Sequence, residues 1–233
     1  MTPAEKTSDS STSPQVVGTI PTPQALARAL TLKPGAVDLL ELRVDHFVGN
    51  LDLLRRALPR LRIPLIITVR HPREGGLHRL GRARRRDLYS EFLRAATWID
   101  VELRSAEELA ATVQAARTAG VKVILSAHHF HSTPGLPRLE RLLEAAAEAR
   151  ADLFKVATRT DSIAEVKTLL RLLIDHPRSP MSVMGMGAKG RMTRLLFAAL
   201  GSRLNYGFLD KVQVPGQWPA PLLKRRLAEL RLE

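Results

Sequence analysis

One lysine, Lys155, stands inside an apolar run at residues 151–157, Ala-Asp-Leu-Phe-Lys-Val-Ala. Runs of this kind are typical of buried strands in a parallel sheet, where an ammonium group is costly unless it is paired or neutralised. Withdrawal from water favours the neutral amine, which can attack a carbonyl and form a Schiff base. The alternative is a strand-end lysine whose ammonium group reaches solvent. The run therefore marks Lys155 as either a nucleophile or a strand-end residue.

Two adjacent histidines, His128 and His129, follow another apolar run. A histidine titrates near neutral pH and can act as acid and base, so it is a suitable partner for a Schiff-base lysine. Two histidines could also suggest a metal. However, neighbours on a strand point to opposite faces and no third ligand has metal spacing, so we predict no metal site.

Charged and apolar residues alternate in residues 41–45, Glu-Leu-Arg-Val-Asp. On a strand, this spacing places Glu41, Arg43 and Asp45 on one face, where the carboxylates can accept from ligand hydroxyls and the guanidinium can donate. A buried structural ion pair would give the same pattern.

Three further segments place polar or glycine-rich residues after apolar runs. Residues 68–76 contain Arg70, Glu74 and a glycine pair, which suits a functional loop on a rigid scaffold. Arg194 follows several glycines near a predicted helix start, where it could grip a carboxylate. Residues 213–217 could close over a cavity. Ordinary surface residues would look the same, so these interpretations stay open.

Strand and helix patterns alternate about eight times along the chain. The strand patterns cover residues 15–20, 37–45, 64–70, 98–103, 121–127, the run around Lys155, 181–186 and 204–208. The helix patterns cover residues 22–32, 51–61, 84–96, 106–119, 136–150, 162–175, 191–200 and 221–232. This alternation fits an α/β fold, either a (β/α)8 TIM barrel or an open doubly wound sheet.

Two features favour the barrel over the open sheet. The first strand lacks the glycine-rich phosphate turn of dinucleotide binders. The polar residues named above also fall at strand ends, which converge on one mouth in a barrel. We therefore predict a disordered tail over residues 1–14 and one catalytic barrel domain over residues 15–233.

The composition narrows the class of protein. Hydrophobic residues make up 45% and charged residues 25% of the chain, and no apolar run is long enough to span a bilayer, so we predict no membrane partner. The polar start of the chain lacks a signal-peptide pattern, so a cytoplasmic location is the default expectation. Without cysteine, disulfides and thiolate metal sites are excluded.

A net charge of +13 raises the possibility of nucleic-acid binding. The basic excess is densest between residues 70 and 87, where seven arginines accompany two acidic residues. Aromatic residues make up only 4% of the chain, so platforms for base stacking are scarce, which argues against nucleic acid as a partner. A positive field would also attract a small anionic substrate.

Several motifs, in the right order, resemble the type I 3-dehydroquinate dehydratase family from residue 16 to the C-terminus. They are residues 41–47, 68–70 with 74–76, 126–130 with 133–134, 154–157, 184–194 with 201–202, and 215–217. The resemblance implies a (β/α)8 barrel lyase of the shikimate route to aromatic amino acids. This lyase removes water from 3-dehydroquinate without metal or cofactor, and it is often a homodimer.

The resemblance also implies roles for individual residues. Lys155 would form an iminium with the C3 ketone of the substrate. His128 would help to form the imine, take the C2 proton and protonate the departing C1 hydroxyl, while Glu74 would orient and tune His128. Substrate contacts are implied for Thr19, Glu41, Arg43, Arg70, Arg194 and Gln217, and we add Gln213 for its long side chain.

The chain departs from the family pattern at three places. His129 replaces an aspartate that usually follows the catalytic histidine, and Arg159 with Thr160 stands where Met-Pro is frequent. Gln213 lies in residues 213–217, where the family commonly has a serine before Ala-Pro-Gly-Gln.

Two alternatives remain. The first is another Schiff-base barrel enzyme, such as an aldolase, which would use the same lysine to cleave a carbon–carbon bond; the pattern of Glu41, Arg43 and Arg194 argues against it. The second is an inactive basic barrel that binds nucleic acid, which predicts salt-sensitive retention and no turnover.

Overall fold

Eight parallel strands form one sheet in the computed structural model, which describes residues 13–230. The strands are β1 (Gln15–Ile20), β2 (Leu39–Arg43), β3 (Leu65–Thr68), β4 (Ala96–Glu102), β5 (Lys122–His129), β6 (Leu153–Arg159), β7 (Met181–Met186) and β8 (Leu204–Phe208). Their order in the sheet is β7-β6-β5-β4-β3-β2-β1-β8. Each strand therefore lies beside its neighbours in sequence, and β8 pairs with β1. This order is that of a barrel and excludes the doubly wound sheet, in which the strand order reverses.

The barrel closes between β7 and β8 through Ser182. Its hydroxyl accepts a hydrogen bond from Leu204 N at 2.8 Å and donates one to the carbonyl oxygen of Leu204. Arg203 N also donates to Met181 O at 2.9 Å. These contacts join the two ends of the sheet, so the predicted (β/α)8 barrel is confirmed.

A helix follows each strand and covers the outside of the barrel. The helices are α1 (Pro23–Leu30), α2 (Leu51–Ala57), α3 (Arg82–Phe92), α4 (Ala110–Thr118), α5 (Leu136–Glu148), α6 (Ile163–Asp175), α7 (Gly190–Ala199) and α8 (Ala220–Glu229). Apolar residues recur on one face of each helix and pack on the outer face of the strands. None of the helices in the described range is long and apolar enough to cross a membrane.

Two apolar clusters fill the fold. The larger cluster lies between strands and helices, and the smaller one, which includes Val17, Ile66 and Ile124, fills the inside of the barrel. Above this inner layer the inward residues become polar, because Glu41, Asp100 and Lys155 replace aliphatic side chains. The polar layer marks the carboxyl ends of the strands, where barrels carry their sites.

The predicted elements were found with shifted boundaries. Strand β2 ends at Arg43, and Asp45 lies in the 3-10 turn Val44–His46. The prediction that Asp45 shares a strand face with Glu41 and Arg43 is therefore wrong, because the strand ends too early. The tail was predicted over residues 1–14. Residues 1–12 lie outside the part of the chain that the structure describes, and residues 13 and 14 lie inside it.

Candidate active site

A cavity of about 340 Å³ opens at the carboxyl ends of the strands. Its lining includes all ten residues that the sequence predicted: Thr19, Glu41, Arg43, Arg70, Glu74, His128, Lys155, Arg194, Gln213 and Gln217. Apolar side chains, among them Phe130, Met184 and Met186, complete the wall. The fold thus brings together residues from seven of the eight strands or the segments that follow them. The catalytic and substrate-binding roles of these residues stay predictions.

Lys155 lies in the middle of β6 and is only 3% exposed. Its Nζ donates to Asp100 Oδ2 at 2.6 Å and lies 3.7 Å from Glu41 Oε1. On another side, Nζ lies 4.0 Å from the centre of the Tyr206 ring, a cation–π distance. This environment excludes the alternative in which the ammonium group reaches solvent at a strand end.

Asp100 is the main partner of Lys155, and the sequence interpretation missed it. The carboxylate is fully buried and accepts from Arg70 Nη1 and Nη2 at 2.9 Å each, and from Ser126 Oγ at 2.6 Å. Burial alone would raise the pKa of Asp100, but the charges of Arg70 and Lys155 outweigh burial and lower that pKa far below its usual range. The alternation of Asp100 with Glu102 along β4 was the available signal, because it puts both carboxylates on one strand face.

His128 and Glu74 form a hydrogen-bonded pair at the cavity wall. His128 Nδ1 lies 3.0 Å from Glu74 Oε2, which also accepts from the backbone N–H of His128 at 3.1 Å. Burial lowers the pKa of His128 well below its usual value, and the positive charges of Arg70 and Lys155 lower it further. The imidazole is therefore neutral at neutral pH, and an Nδ1–H directed at Glu74 leaves the Nε2 lone pair free.

The carboxyl group of Glu74 has an unusual pKa. Burial raises its pKa from about 4.5 to about 7, although the nearby charge of Arg70 opposes the rise. A group that titrates near neutral pH beside an uncharged histidine suits proton transfer.

His129 lies outside this arrangement. It follows His128 on β5 and does not line the cavity, as expected for neighbours on opposite strand faces. Burial lowers its pKa, and its Nε2 has no hydrogen-bond partner in the structure. Within residues 13–230, no group of three or more His, Cys, Asp or Glu side chains could hold a metal ion.

Arg194, on α7, is a buried guanidinium that lacks an acidic partner among residues 13–230. Its Nη1 donates to Gly185 O and Gly216 O at 2.7 Å each, and its Nε donates to Tyr206 O at 3.1 Å. Burial lowers the pKa of Arg194 to about 10. At neutral pH the group is charged and uncompensated at the cavity, so an anionic ligand group would complete it.

The other residues predicted to contact substrate differ in the hydrogen bonds and ion pairs that they already make within the protein. Glu41 accepts from Thr68 Oγ1 at 3.0 Å, and Arg43 is paired with Asp45 at 2.9 Å, so the ion-pair alternative applies to this strand end. Arg70 is 2% exposed and donates to two carboxylates and a serine, which orders it before any substrate arrives. Thr19 donates to a backbone carbonyl at 3.2 Å.

The segment after β8 packs on the loop before α7. Gln217 Oε1 accepts from the backbone N–H groups of Gln213 and Val214 at 2.7 and 3.3 Å. Gly216 has a φ of 84°, and an added Cβ would lie 2.6 Å from Gly187 O. Only glycine fits this close approach, which holds both glutamines at the cavity.

Comparison with known proteins agrees with this geometry. The model of the family described as type I 3-dehydroquinase matches residues 17–231. The chain belongs to this family. The resemblance noted in the motifs is thereby confirmed.

Individual relatives cover most of the chain. A 3-dehydroquinate dehydratase of Thermococcus gammatolerans is 33% identical over 218 residues, which make up 92% of this chain and 98% of the relative. One from Klebsiella pneumoniae is 33% identical over 208 residues, 83% of each chain. The crystal structure of type I 3-dehydroquinate dehydratase from Clostridium difficile, with covalently modified comenic acid, superposes with a TM-score of 0.84. It is 30% identical and covers 94% of this chain and 92% of its own.

Proposed function

We propose that this chain is a carbon–oxygen lyase that removes water from 3-dehydroquinate to give 3-dehydroshikimate, in the route to aromatic amino acids. The observation that carries the proposal is one cavity that is lined by a buried lysine, a neutral histidine and an uncompensated guanidinium. Family membership gives the reaction its substrate, because related proteins are named 3-dehydroquinate dehydratase.

The first step is covalent. Lys155 gives a proton to His128 and, as the free amine, attacks the C3 ketone of the substrate; the two protons that the nitrogen loses leave with the carbonyl oxygen as water, and an iminium forms. The iminium withdraws electrons from C2 and acidifies its proton. In the structure, Asp100 and the Tyr206 ring hold the ammonium group of Lys155. They therefore lie where they can stabilise the positive charge of the iminium.

The second step is the elimination. His128 Nε2 takes the C2 proton, the electron pair forms the C1–C2 double bond, and the C1 hydroxyl leaves as water with a proton from the same histidine. Glu74 accepts the Nδ1–H and fixes the imidazole orientation. Hydrolysis of the iminium then releases the product and regenerates Lys155.

The substrate contacts follow from charge and position. Arg194 binds the carboxylate of the substrate, because it is the buried cation that lacks an acidic partner within residues 13–230. Glu41, Arg43 and Arg70 line the same cavity and contact ring hydroxyls, and Thr19, Gln213 and Gln217 supply further substrate contacts.

Trapping the covalent intermediate tests this proposal. Borohydride added with 3-dehydroquinate should raise the intact mass by the reduced adduct at Lys155, and the conjugated product should absorb in the ultraviolet without borohydride. Lys155→Ala should give neither the adduct nor the conjugated product. Lys167→Ala, which changes an exposed lysine on α6, should give both. An adduct without the conjugated product would favour an aldolase, and neither adduct nor product would contradict the proposal.

We also propose a homodimer, on the resemblance to the family alone, and a cytoplasmic location, which is the default expectation given above. Light scattering of the purified chain tests the dimer, since a mass near 25.8 kDa would identify a monomer.

A further inference from the structure

Two buried charged residues lie behind the cavity without lining it. Glu102 ends β4 and is fully buried, and Arg85 lies on α3 with 1% exposure. Neither belongs to the cavity lining, so neither contacts a ligand there. A pair of charges in such a place requires a reason, because removing two charges from water is costly.

Glu102 receives hydrogen bonds from three directions. Its Oε1 accepts from His71 N at 2.7 Å and from Arg70 Nη1 at 3.3 Å. Its Oε2 accepts from Arg85 Nη2. Arg85 is in turn fixed by donating to Val69 O at 3.0 Å and by a second bond to a serine hydroxyl. The carboxylate therefore has one defined orientation.

One branch from Glu102 leads to the lysine. Arg70, held by Glu102, donates to both oxygens of Asp100, and Asp100 accepts from Lys155 Nζ at 2.6 Å. Positive and negative charges alternate without interruption from Arg85 to Lys155. Each charge orders the next one along this series.

The other branch leads to the histidine. His71, whose N–H is bound by Glu102, caps the 3-10 turn Pro72–Glu74. Glu74 then binds both the backbone and the ring of His128. The same carboxylate thus fixes the two parts of the site that must act on neighbouring carbon atoms.

We propose that Arg85 and Glu102 are positioning residues that hold Lys155 and the Glu74–His128 pair at the separation needed for catalysis. The inference rests on the proposed function. Loss of the Arg85 contact should let Glu102 shift, and both branches should shift with it.

Four variants separate positioning from a purely structural role. Arg85→Met leaves Glu102 with one cation fewer, and Arg85→Lys keeps the charge. Arg85→Met/Glu102→Leu replaces the buried ion pair by apolar side chains, an exchange that often preserves stability. Arg86→Met is the matched control, because Arg86 follows Arg85 on the same helix and its side chain is 60% exposed.

The main measurement is kcat per competent site, with competent sites counted by the borohydride adduct. Arg85→Met should lower this kcat about 10- to 100-fold with little change in KM, because misplacement affects the transition state more than binding. Arg85→Lys should recover part of the loss, and Arg86→Met should behave like the unchanged protein. If Arg85→Met does not fold, the double variant carries the test.

The double variant gives the decisive result. Positioning predicts that it folds stably and still has a low kcat per competent site, because both branches have lost their common support. Recovery of kcat together with stability would overturn the proposal and leave the pair a structural one.

A second readout does not depend on turnover. In ¹⁵N-histidine NMR, the hydrogen-bonded Nδ1 proton of His128, assigned by its loss in His128→Asn, should be visible in the unchanged protein and in Arg86→Met. The signal should shift or broaden in the double variant; an unchanged signal there would contradict positioning. A protein without turnover would contradict the proposed function and leave this readout able to test the inference.

Discussion

At the scale of single residues, the site depends on charges that are matched inside the barrel and one that is not. Lys155 is enclosed by Asp100, Glu41 and the Tyr206 ring, so its charge is compensated before substrate binds. Arg194 is held by backbone carbonyls alone, which satisfy its hydrogen bonds but not its charge. In the proposed mechanism, Lys155 therefore supplies the chemistry and Arg194 binds the anionic group of the substrate.

Arg194→Met should therefore weaken catalysis through binding. We expect kcat/KM to fall about 10-fold or more, with most of the change in KM, because a hydrogen bond to a charged group contributes about 1.5 to 3 kcal/mol. Steady-state kinetics with 3-dehydroquinate measure this. Arg191→Met, on the exposed side of the same helix, is the control. An unchanged KM in Arg194→Met would assign the carboxylate to another residue.

Glu74→Gln should lower the activity and raise the stability of the folded chain, and the gain in stability should depend on pH. The pKa of Glu74 is about 7 in the folded chain and near 4.5 when the group is solvated, so the folded state binds more protons between these values. Stability of the unchanged protein is therefore lost as pH rises from 4.5 to 7. The glutamine variant avoids this loss and should be more stable by about 1 to 3 kcal/mol at pH 8.

Denaturant unfolding at pH 8 and pH 4 measures the effect. At pH 4 both side chains are neutral, so the difference should vanish there, and turnover of the variant should be strongly reduced at either pH. The control is Glu144→Gln at an exposed site on α5. An equal gain at both pH values would show that the charge of Glu74 is not its cause.

At the scale of elements, each helix covers the barrel and its termini set where the loops run. Helix α6 begins with a capping box in which Ser162 Oγ accepts from Glu165 N at 3.3 Å and Glu165 accepts from Ser162 N at 2.9 Å. The sequence motif Ser-x-x-Glu encodes this start directly. The cap lies outside the cavity, so it contributes to stability rather than to chemistry.

Ser162→Ala should lower the free energy of unfolding by about 1 kcal/mol and leave kcat and KM unchanged, because it removes one hydrogen bond at a helix start. Chemical denaturation and steady-state kinetics test the two statements. Ser90→Ala, at an exposed position inside α3, should not destabilise the protein. A change in kcat for Ser162→Ala would show that the α6 terminus contributes to the site.

At the scale of the whole molecule, part of the positive charge in residues 70–87 is not available to a partner. Of the seven arginines between residues 70 and 87, Arg70 and Arg85 are buried and paired with carboxylates. The remaining ones are spread over a helix and its preceding loop. The burial of two of the seven arginines weakens the case for nucleic acid as a partner, and the remaining positive field also attracts small anions.

We therefore expect retention on a double-stranded DNA column to be lost between about 50 and 200 mM salt, as for weak electrostatic binding. Gradient elution measures it, with a cation exchanger as the reference matrix. Retention on DNA well beyond the salt concentration that elutes the chain from the exchanger would support the nucleic-acid alternative.

The sequence was sufficient to predict the barrel and ten of the residues that line its cavity. Periods of two and 3.6 residues are local, so they can be read without knowing the fold, and all eight strands and helices were predicted. A lysine within an apolar run was conspicuous because burial and charge conflict at one position. The resemblance then supplied nine residues, the length of its side chain added Gln213, and the structure places all ten around one cavity.

Only the tertiary structure decided which charges are paired. Asp100 lies 55 residues from Lys155 in sequence, and Glu74 lies 54 residues from His128, yet barrel closure brings each pair within 3.0 Å. It also showed that Arg70 is held by carboxylates, that Arg194 has backbone partners, and that Asp45 falls after the strand end. Electrostatic pairing depends on distances across the barrel, and local sequence patterns do not contain those distances.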